Sequence, residues 1–101
     1  MPPRVELKKY SKNELRFIVH DEDKHSIPNL IAKLAIKEPG VKYAAYIIDH
    51  PLVSPPEVVI LTDGDVDPLD VLIRVLEKAK RIGEELRGKT EELLSKSGQE
   101  Q

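Results

Sequence analysis

The stretch from Val58 to Leu94, VVILTDGDVDPLDVLIRVLEKAKRIGEELRGKTEELL, decides the fold. Its first four residues, Val58–Leu61, are apolar on both faces, which is typical of an interior strand, and a Thr-Asp-Gly-Asp turn follows. Asp67 and Pro68 mark a helix start, because Asp caps free backbone N–H groups and Pro fits the first helical position. A helix that runs to Leu94 is on the order of 40 Å long, whereas a compact domain of this size has a radius of gyration of roughly 13 Å. We therefore expect the helix to overhang its own domain.

Two strands and a shorter helix are predicted at the start of the chain. Val5 and Leu7 alternate with charged residues, which predicts a half-buried strand, and a second strand places Leu15, Phe17 and Val19 on one face. The short polar turn between them favours a hairpin. A helix then starts near Ser26, which can cap it, and ends at Pro39-Gly40; one face is apolar, formed by Ile27, Leu30, Ile31 and Leu34.

A third strand is predicted from Val41 to Ile48, with Val41, Tyr43, Ala45 and Ile47 on one face. The complete order is β-β-α-β-β-α. Its simplest solution is an α+β sandwich, a four-stranded antiparallel sheet with two helices on one face and a long C-terminal helix. We expect one domain over residues 1–94 and a flexible polar tail over residues 95–101.

Composition excludes several classes of protein. The 101 residues hold 16 Lys+Arg and 18 Asp+Glu, a net charge of −2, so the basic face of a free-standing nucleic-acid binder is not evident. There is no cysteine, which excludes disulfides and thiolate chemistry. No run of about 18 apolar residues predicts a membrane span, and no apolar leader is recognisable. We expect a cytoplasmic location.

The long helix carries more apolar surface than one sheet face can bury. A heptad seam with weak points at Gly83 and Thr90 is formed by Leu69, Leu72, Leu76, Ala79, Leu86 and Leu93. Val71, Ile73, Val75 and Ile82 widen the apolar stripe in its first half. A monomer rarely exposes such a surface, so the pattern favours cover by another chain, unless the whole stripe is internal core.

No motif points to catalysis or to a cofactor. A calcium loop starting at Asp63 needs Gly at its sixth and Glu at its twelfth position, where this chain has Pro68 and Arg74. The three histidines, at positions 20, 25 and 50, lack the spacing of metal ligands on a helix. No phosphate-binding glycine motif occurs. We predict no catalytic residues, no metal and no cofactor.

Two stretches carry a family resemblance. Asp23–Ile31, DKHSIPNLI, is similar to the E-D-H-T-L-G-N-L segment that opens the first helix of archaeal RNA polymerase subunit L and its eukaryotic counterparts. Tyr43–Tyr46 with the later His50–Leu52 resembles that family's F-A-x-Y…P-H-P-L. The resemblance covers roughly Val5 to Leu94. The chain departs from the family pattern at Lys24, Ser26, Pro28 and Asp49.

The resemblance implies a function that spacing alone does not show. Members of this family pair with the D subunit of RNA polymerase, in a dimer that corresponds to the bacterial alpha-subunit dimer and forms a platform for the large catalytic subunits. The implied role is a non-catalytic assembly subunit of a nucleotidyltransferase complex, without direct nucleic-acid contact by itself. The implied dimer contact comes from both helices, with apolar residues Ile27, Leu30, Ile31, Leu34, Leu69, Leu72, Leu76, Ala79, Leu86 and Leu93.

Two polar residues and two other functions remain open. His25 and Asn29 are candidates for contacts that fix the register of the partner, although local cap or turn hydrogen bonds explain them equally well. A homodimeric nucleic-acid-binding module needs a basic face, and a ligand-binding regulatory domain needs convergent polar groups in a pocket.

Overall fold

The computed structural model describes residues 4–21, 23–50 and 52–99, with side chains up to residue 95. Four strands form one antiparallel sheet in the order β1-β2-β4-β3, and both helices pack on the same face of it. This confirms the predicted α+β architecture. The elements are β1 Arg4–Tyr10, β2 Glu14–His20, α1 Ser26–Ala35, β3 Val41–Ile47, β4 Glu57–Thr62 and α2 Pro68–Gln99.

The core lies between the two central strands, helix α1 and the first turns of α2. Leu15 pairs with Ile60, and Phe17 pairs with Val58, so these side chains form an apolar surface on one side of β2 and β4. Helix α1 packs Ile31 and Ala35 onto that surface, and α2 packs Val71 and Val75 onto it. The core is therefore aliphatic apart from Phe17.

Strand β1 departs from the prediction. Val5 lies opposite Val19 and Leu7 lies opposite Phe17, so both face the side of the sheet that carries the helices. Each is nevertheless 61% exposed, because the helices pack over β2, β4 and β3. The prediction of a half-buried strand was wrong, and β1 is an uncovered edge of the sheet.

Helix α1 starts at Ser26 as predicted, but its capping side chain is a different residue. The backbone N–H groups of His25 and Ser26 donate to the Asp23 side chain, at 2.9 and 3.0 Å, and the Ser26 hydroxyl also donates to this carboxylate. Asp23 rather than Ser26 is therefore the side chain that satisfies the free N–H groups. The helix ends at Ala35, and Gly40 adopts a left-handed φ of +83° in the connection to β3.

Strand β3 contains a register shift between Val41 and Tyr43. Because of this irregularity, Val41 packs against the core together with Ala44 and Tyr46. The prediction that Val41 shares a face with Tyr43 was wrong, since an extra residue in a strand reverses the alternation beyond it. Tyr43, Ala45 and Ile47 lie on the opposite, outer face of the sheet.

Helix α2 begins as predicted, with Asp67 accepting a hydrogen bond from the N–H of Leu69 at 2.9 Å. The hydroxyl of Tyr10 donates to the same carboxylate, at 2.7 Å to Oδ2, which ties β1 to the helix start. The helix has 32 residues and continues to Gln99, beyond the predicted end at Leu94. Its length is about 48 Å, which accounts for most of the 56 Å length of the molecule. Residues 100 and 101 of the predicted tail lie outside the described residues.

Candidate partner interface

The far part of α2 has no core beneath it. Val71 and Val75, in its first two turns, are fully buried. Every side chain from Lys80 to Ser95 is exposed, including Leu86 at 64% and Leu93 at 66%. The predicted overhang is therefore present, and it carries large apolar side chains into solvent.

The spacing of these residues shows that the overhang repeats the pattern of the buried part. The sequence numbers increase by four, seven, four and seven along the series Val71, Val75, Ile82, Leu86 and Leu93. Residues at this spacing lie on one face of an α-helix. The face that packs on the sheet near the start of α2 thus continues as an exposed stripe beyond the domain.

A second apolar region lies on the outward side of the domain itself. Leu69, Ile73 and Leu76 of α2 are between 38% and 48% exposed, and Leu30 of α1 is 39% exposed. The three α2 residues lie on average roughly 130° around the helix axis from the stripe, and we call both regions together the helix surface. Its members are Leu30, Leu69, Ile73, Leu76, Ile82, Leu86, Leu93 and Leu94.

A buried carboxylate joins the two helices that carry this surface. Glu38, just after α1, is 7% exposed. Lys78 Nζ lies 3.1 Å from its Oε2, and Arg74 Nε lies 3.7 Å from its Oε1. Because Arg74 and Lys78 are one turn apart on α2, we expect this contact to orient the helix as it leaves the domain.

The structure distributes the predicted apolar interface residues over three environments. Ile31 is a core residue, at 4% exposure, and offers little surface to a partner. Ile27, Leu34 and Leu72 are partly buried against the core, and Ala79 is half-buried. Those that remain exposed are Leu30, Leu69, Leu76, Leu86 and Leu93. Their contact with a partner stays a prediction.

The two polar candidates lie on the other side of α1. His25 is exposed, and its Nδ1 lies 3.3 Å from the Tyr46 hydroxyl, with the two rings in an edge-on arrangement. Asn29 lines a groove between α1 and β3. A role in partner register stays a prediction for both. The local hydrogen bond that was the alternative exists for the His25 backbone, whose N–H donates to Asp23, whereas the His25 ring contacts Tyr46 on β3.

Sequence reasoning left several residues of this surface out of the predicted set. Ile73, Ile82 and Leu94 are exposed on α2, and the regular spacing from Val71 is the signal that finds Ile82. Val5 and Leu7 on β1 extend the uncovered apolar area beside the helices. Nothing in the sequence shows that the helices stop short of β1.

The acidic loop before α2 is a turn followed by a helix cap. Asp63 Oδ1 accepts hydrogen bonds from the N–H groups of Asp65 and Val66, at 2.9 and 3.3 Å. Within the described ranges, no three His, Asp or Glu side chains are arranged to hold a metal ion. None of the helices in those ranges has the length and apolarity that crossing a membrane requires.

Comparison with known proteins identifies the family. The sequence profile of the RNA polymerase Rpb3/Rpb11 dimerisation domain matches residues 14–89. The chain belongs to this family. The matched range starts at β2, includes α1, and ends within α2, so it contains Ile82 and Leu86 of the exposed stripe but not Leu93.

Archaeal proteins are among the relatives. The RNA polymerase subunit Rpo11 of Sulfolobus acidocaldarius is 42% identical over 60 residues, which are 59% of this chain and 67% of that protein. The Rpo11 of Saccharolobus islandicus strain L.S.2.15 is 37% identical over 76 residues, 75% of this chain and 82% of that protein. The crystal structure of RNA polymerase subunit L from Thermoplasma acidophilum has the same fold, with a TM-score of 0.76, 17% identity, and coverage of 91% of this chain and 89% of that one.

Proposed function

We propose that this chain is a non-catalytic assembly subunit of DNA-directed RNA polymerase that pairs through its helix surface with a D-like chain, meaning one similar to the D subunit of RNA polymerase. In this proposal the heterodimer is the platform on which the large catalytic subunits assemble, in the cytoplasm. Membership of the Rpb3/Rpb11 dimerisation-domain family and the Rpo11 relatives support it. The observation that carries it is the exposed apolar stripe of Ile82, Leu86 and Leu93, which starts beside α1 and continues beyond the domain.

The energetics of the stripe favour a permanent partner. Apolar area removed from water contributes about 25 cal/mol per Å², and in an isolated chain the overhang gains none of this. An obligate interface of roughly 2,000 Å² or more would cover the helix surface on both α1 and α2. The pair would then resemble a domain core shared between two chains.

The charges along α2 fit a protein partner better than a nucleic acid. From Pro68 to Leu94 the helix has six basic and six acidic residues, a balance of zero. Arg87 pairs with Glu91 on the same helix, at 3.0 Å. Such a flank keeps the helix soluble while the apolar face is covered, and it has no excess of positive charge to attract phosphates.

Co-expression with a D-like chain from a related archaeon tests the proposal. We expect the two chains to co-purify and to elute from size exclusion as one species with 1:1 stoichiometry. A chain that elutes as a monodisperse monomer in the presence of the D-like chain would contradict the proposal. An isolated chain that binds duplex DNA with a salt-dependent affinity would favour a nucleic-acid-binding module instead.

A further inference from the structure

Strand β3 is an edge of the sheet that the fold leaves unprotected. It pairs with β4 on one side only, so the backbone groups on its other side have no strand partner within the described ranges. From Tyr43 to Ile47 it keeps an unbroken register and contains no charged residue. Flat, apolar edge strands are the ones that natural proteins cover.

The opposite edge of the sheet, strand β1, has features that discourage pairing with another strand. Strand β1 carries Glu6, Lys8 and Lys9, and its register shifts between Leu7 and Lys9. Charges and irregular pairing both discourage the addition of another strand. The irregularity of β3, by contrast, lies at its start, between Val41 and Tyr43, and leaves the rest of the strand regular.

A groove runs beside the free edge and gives it a chemical preference. It has a volume of about 290 Å³ and is lined by Asn29, Ala32, Lys33, Ile36, Ala44, Ala45 and Tyr46. Lys33 lines the groove, and Lys42 is exposed near the start of β3; neither has an ion-pair partner among the described residues. On the outer face of the sheet, Tyr43 and Ile47 are 49% and 42% exposed.

The groove is separate from the helix surface. Ile27 and Leu34 of α1 pack towards the core, and Leu34 also lies beside Lys78 and Ile82 of α2. Asn29 and Lys33 instead lie on the side of α1 that faces β3. Leu30 is the member of the helix surface that lies on α1, and it does not line the groove. A chain that covers the helix surface therefore contacts residues other than those that line the groove beside β3.

We propose that β3 receives an extended segment from a polymerase subunit other than the heterodimer partner, which adds a fifth strand to the sheet. The segment alternates acidic with apolar residues. Its acidic side chains point to the groove and Lys33, and its apolar side chains extend the outer face beside Tyr43 and Ile47. Main-chain hydrogen bonds supply affinity in this mode, and the alternating side chains supply specificity.

Hydrogen exchange of the β3 amides tests this inference, which rests on the proposed function. The rates are compared in the isolated chain, in the heterodimer with a D-like chain, and in the assembled polymerase. We expect the amides of Tyr43–Ile47 that do not pair with β4 to slow at least tenfold only in the assembled polymerase. Equal rates in the heterodimer and the polymerase, or slowing already in the heterodimer, would overturn the inference.

Two substitutions give the second arm. Lys33→Glu reverses the charge in the groove and should lower retention of the additional subunit on the heterodimer at least tenfold, whereas Lys12→Glu, in the exposed turn after β1, should not. Tyr43→Lys adds a charge to the β3 edge and should also lower retention of the additional subunit at least tenfold. Tyr43→Phe adds no charge and should leave retention unchanged. Retention that is equal in variants and controls would overturn the inference. Failure of the D-like chain to bind at all contradicts the proposed function instead, and size exclusion reports it separately.

Discussion

The two parts of helix α2 have the same kind of apolar stripe but opposite environments. Val71 and Val75 are fully buried under the sheet and α1, whereas Leu86 and Leu93 are about two-thirds exposed. The sequence pattern does not change between them, because the spacing of four and seven residues continues. The difference is that α2 extends past the sheet, so its far part has no apolar surface of this chain to pack against. We therefore interpret the exposed part of the stripe as a surface that another chain covers.

The largest effect we expect comes from a charge in the exposed stripe. Leu86→Glu should weaken binding of the D-like chain roughly 100-fold or more, because the partner would have to bury an unpaired carboxylate. The unfolding midpoint of the isolated chain should stay the same, since Leu86 packs on nothing there. Titration calorimetry and urea unfolding measure the two quantities.

Gly88→Glu is the matched control for that variant. It introduces the same residue two positions along, on the other side of the helix, and a side chain there meets open space. Binding of the D-like chain should change less than threefold. An equal loss of affinity in Leu86→Glu and Gly88→Glu would mean that the stripe has no special role.

The buried part of the helix should respond in the opposite way. Val75→Ala removes core volume and should lower the free energy of unfolding of the isolated chain by about 1–3 kcal/mol. Leu86→Ala should change it by less than about 0.5 kcal/mol. Urea unfolding of the two variants compares them directly, and similar losses would show that the overhang is packed in the isolated chain.

The contact that directs the overhang should have an intermediate effect. Glu38→Gln keeps the size of the side chain but removes the charge that meets Lys78 and Arg74. Because both cationic side chains are nearly half exposed, they regain water when the contact is lost. We expect the free energy of unfolding to fall by about 1 kcal/mol. The free energy of binding to the D-like chain should fall by more than the free energy of unfolding does.

Arg87→Gln is the reference for Glu38→Gln, because the Arg87–Glu91 pair lies on the exposed surface of α2 alone. Its removal should alter the unfolding free energy by about 0.5 kcal/mol at most. If Glu38→Gln behaves like Arg87→Gln in both stability and partner affinity, then Glu38 does not set the direction of α2.

The sequence predicted the elements but not which surfaces they cover. The order of strands and helices, the central position of β4 and the start of α2 at Asp67 all follow from alternation, helical spacing and capping chemistry. The heptad seam placed Leu69, Leu72 and Leu76 together, yet Val71 and Val75 take the core positions. A helix that is apolar on most sides does not reveal which side meets the sheet, because its placement depends on the register of the strands beneath it.

The candidate interface was predictable to a similar degree. The exposed Leu86 and Leu93 were in the predicted set, and so was Ile31, which the core takes. The exposure of Val5 and Leu7 depends on how far the helices extend sideways over the sheet. The alternation of apolar and polar residues in β1 does not indicate how far that is. The Ser26 cap was wrong because Asp23, three residues earlier, accepts hydrogen bonds from the N–H groups of His25 and Ser26, and the Ser26 hydroxyl itself donates to Asp23.

The smallest effect we expect is a dependence on pH of the stability that the Asp23 cap contributes at the start of α1. Hydrogen bonds from the Ser26 hydroxyl and from the N–H groups of Ser26 and His25 lower the pKa of Asp23 to about 2, from a usual value of 3.8. A carboxylate with a lowered pKa stabilises the fold above its usual pKa, and this stabilisation is lost as the pH falls from about 4 to about 2. Comparing Asp23→Asn with the unaltered chain by circular dichroism should show that the variant lacks this component.

The most direct test of the account measures the solvent exposure of the two parts of α2 in the heterodimer. Methyl NMR with a soluble paramagnetic probe reports how closely water approaches Val71, Val75, Leu86 and Leu93. In the isolated chain the leucine methyls should relax much faster than the valine methyls, and on binding the D-like chain the leucines should fall to the level of the valines. Leucine methyls that remain as accessible in the heterodimer as in the free chain would contradict the claim that a partner completes this fold.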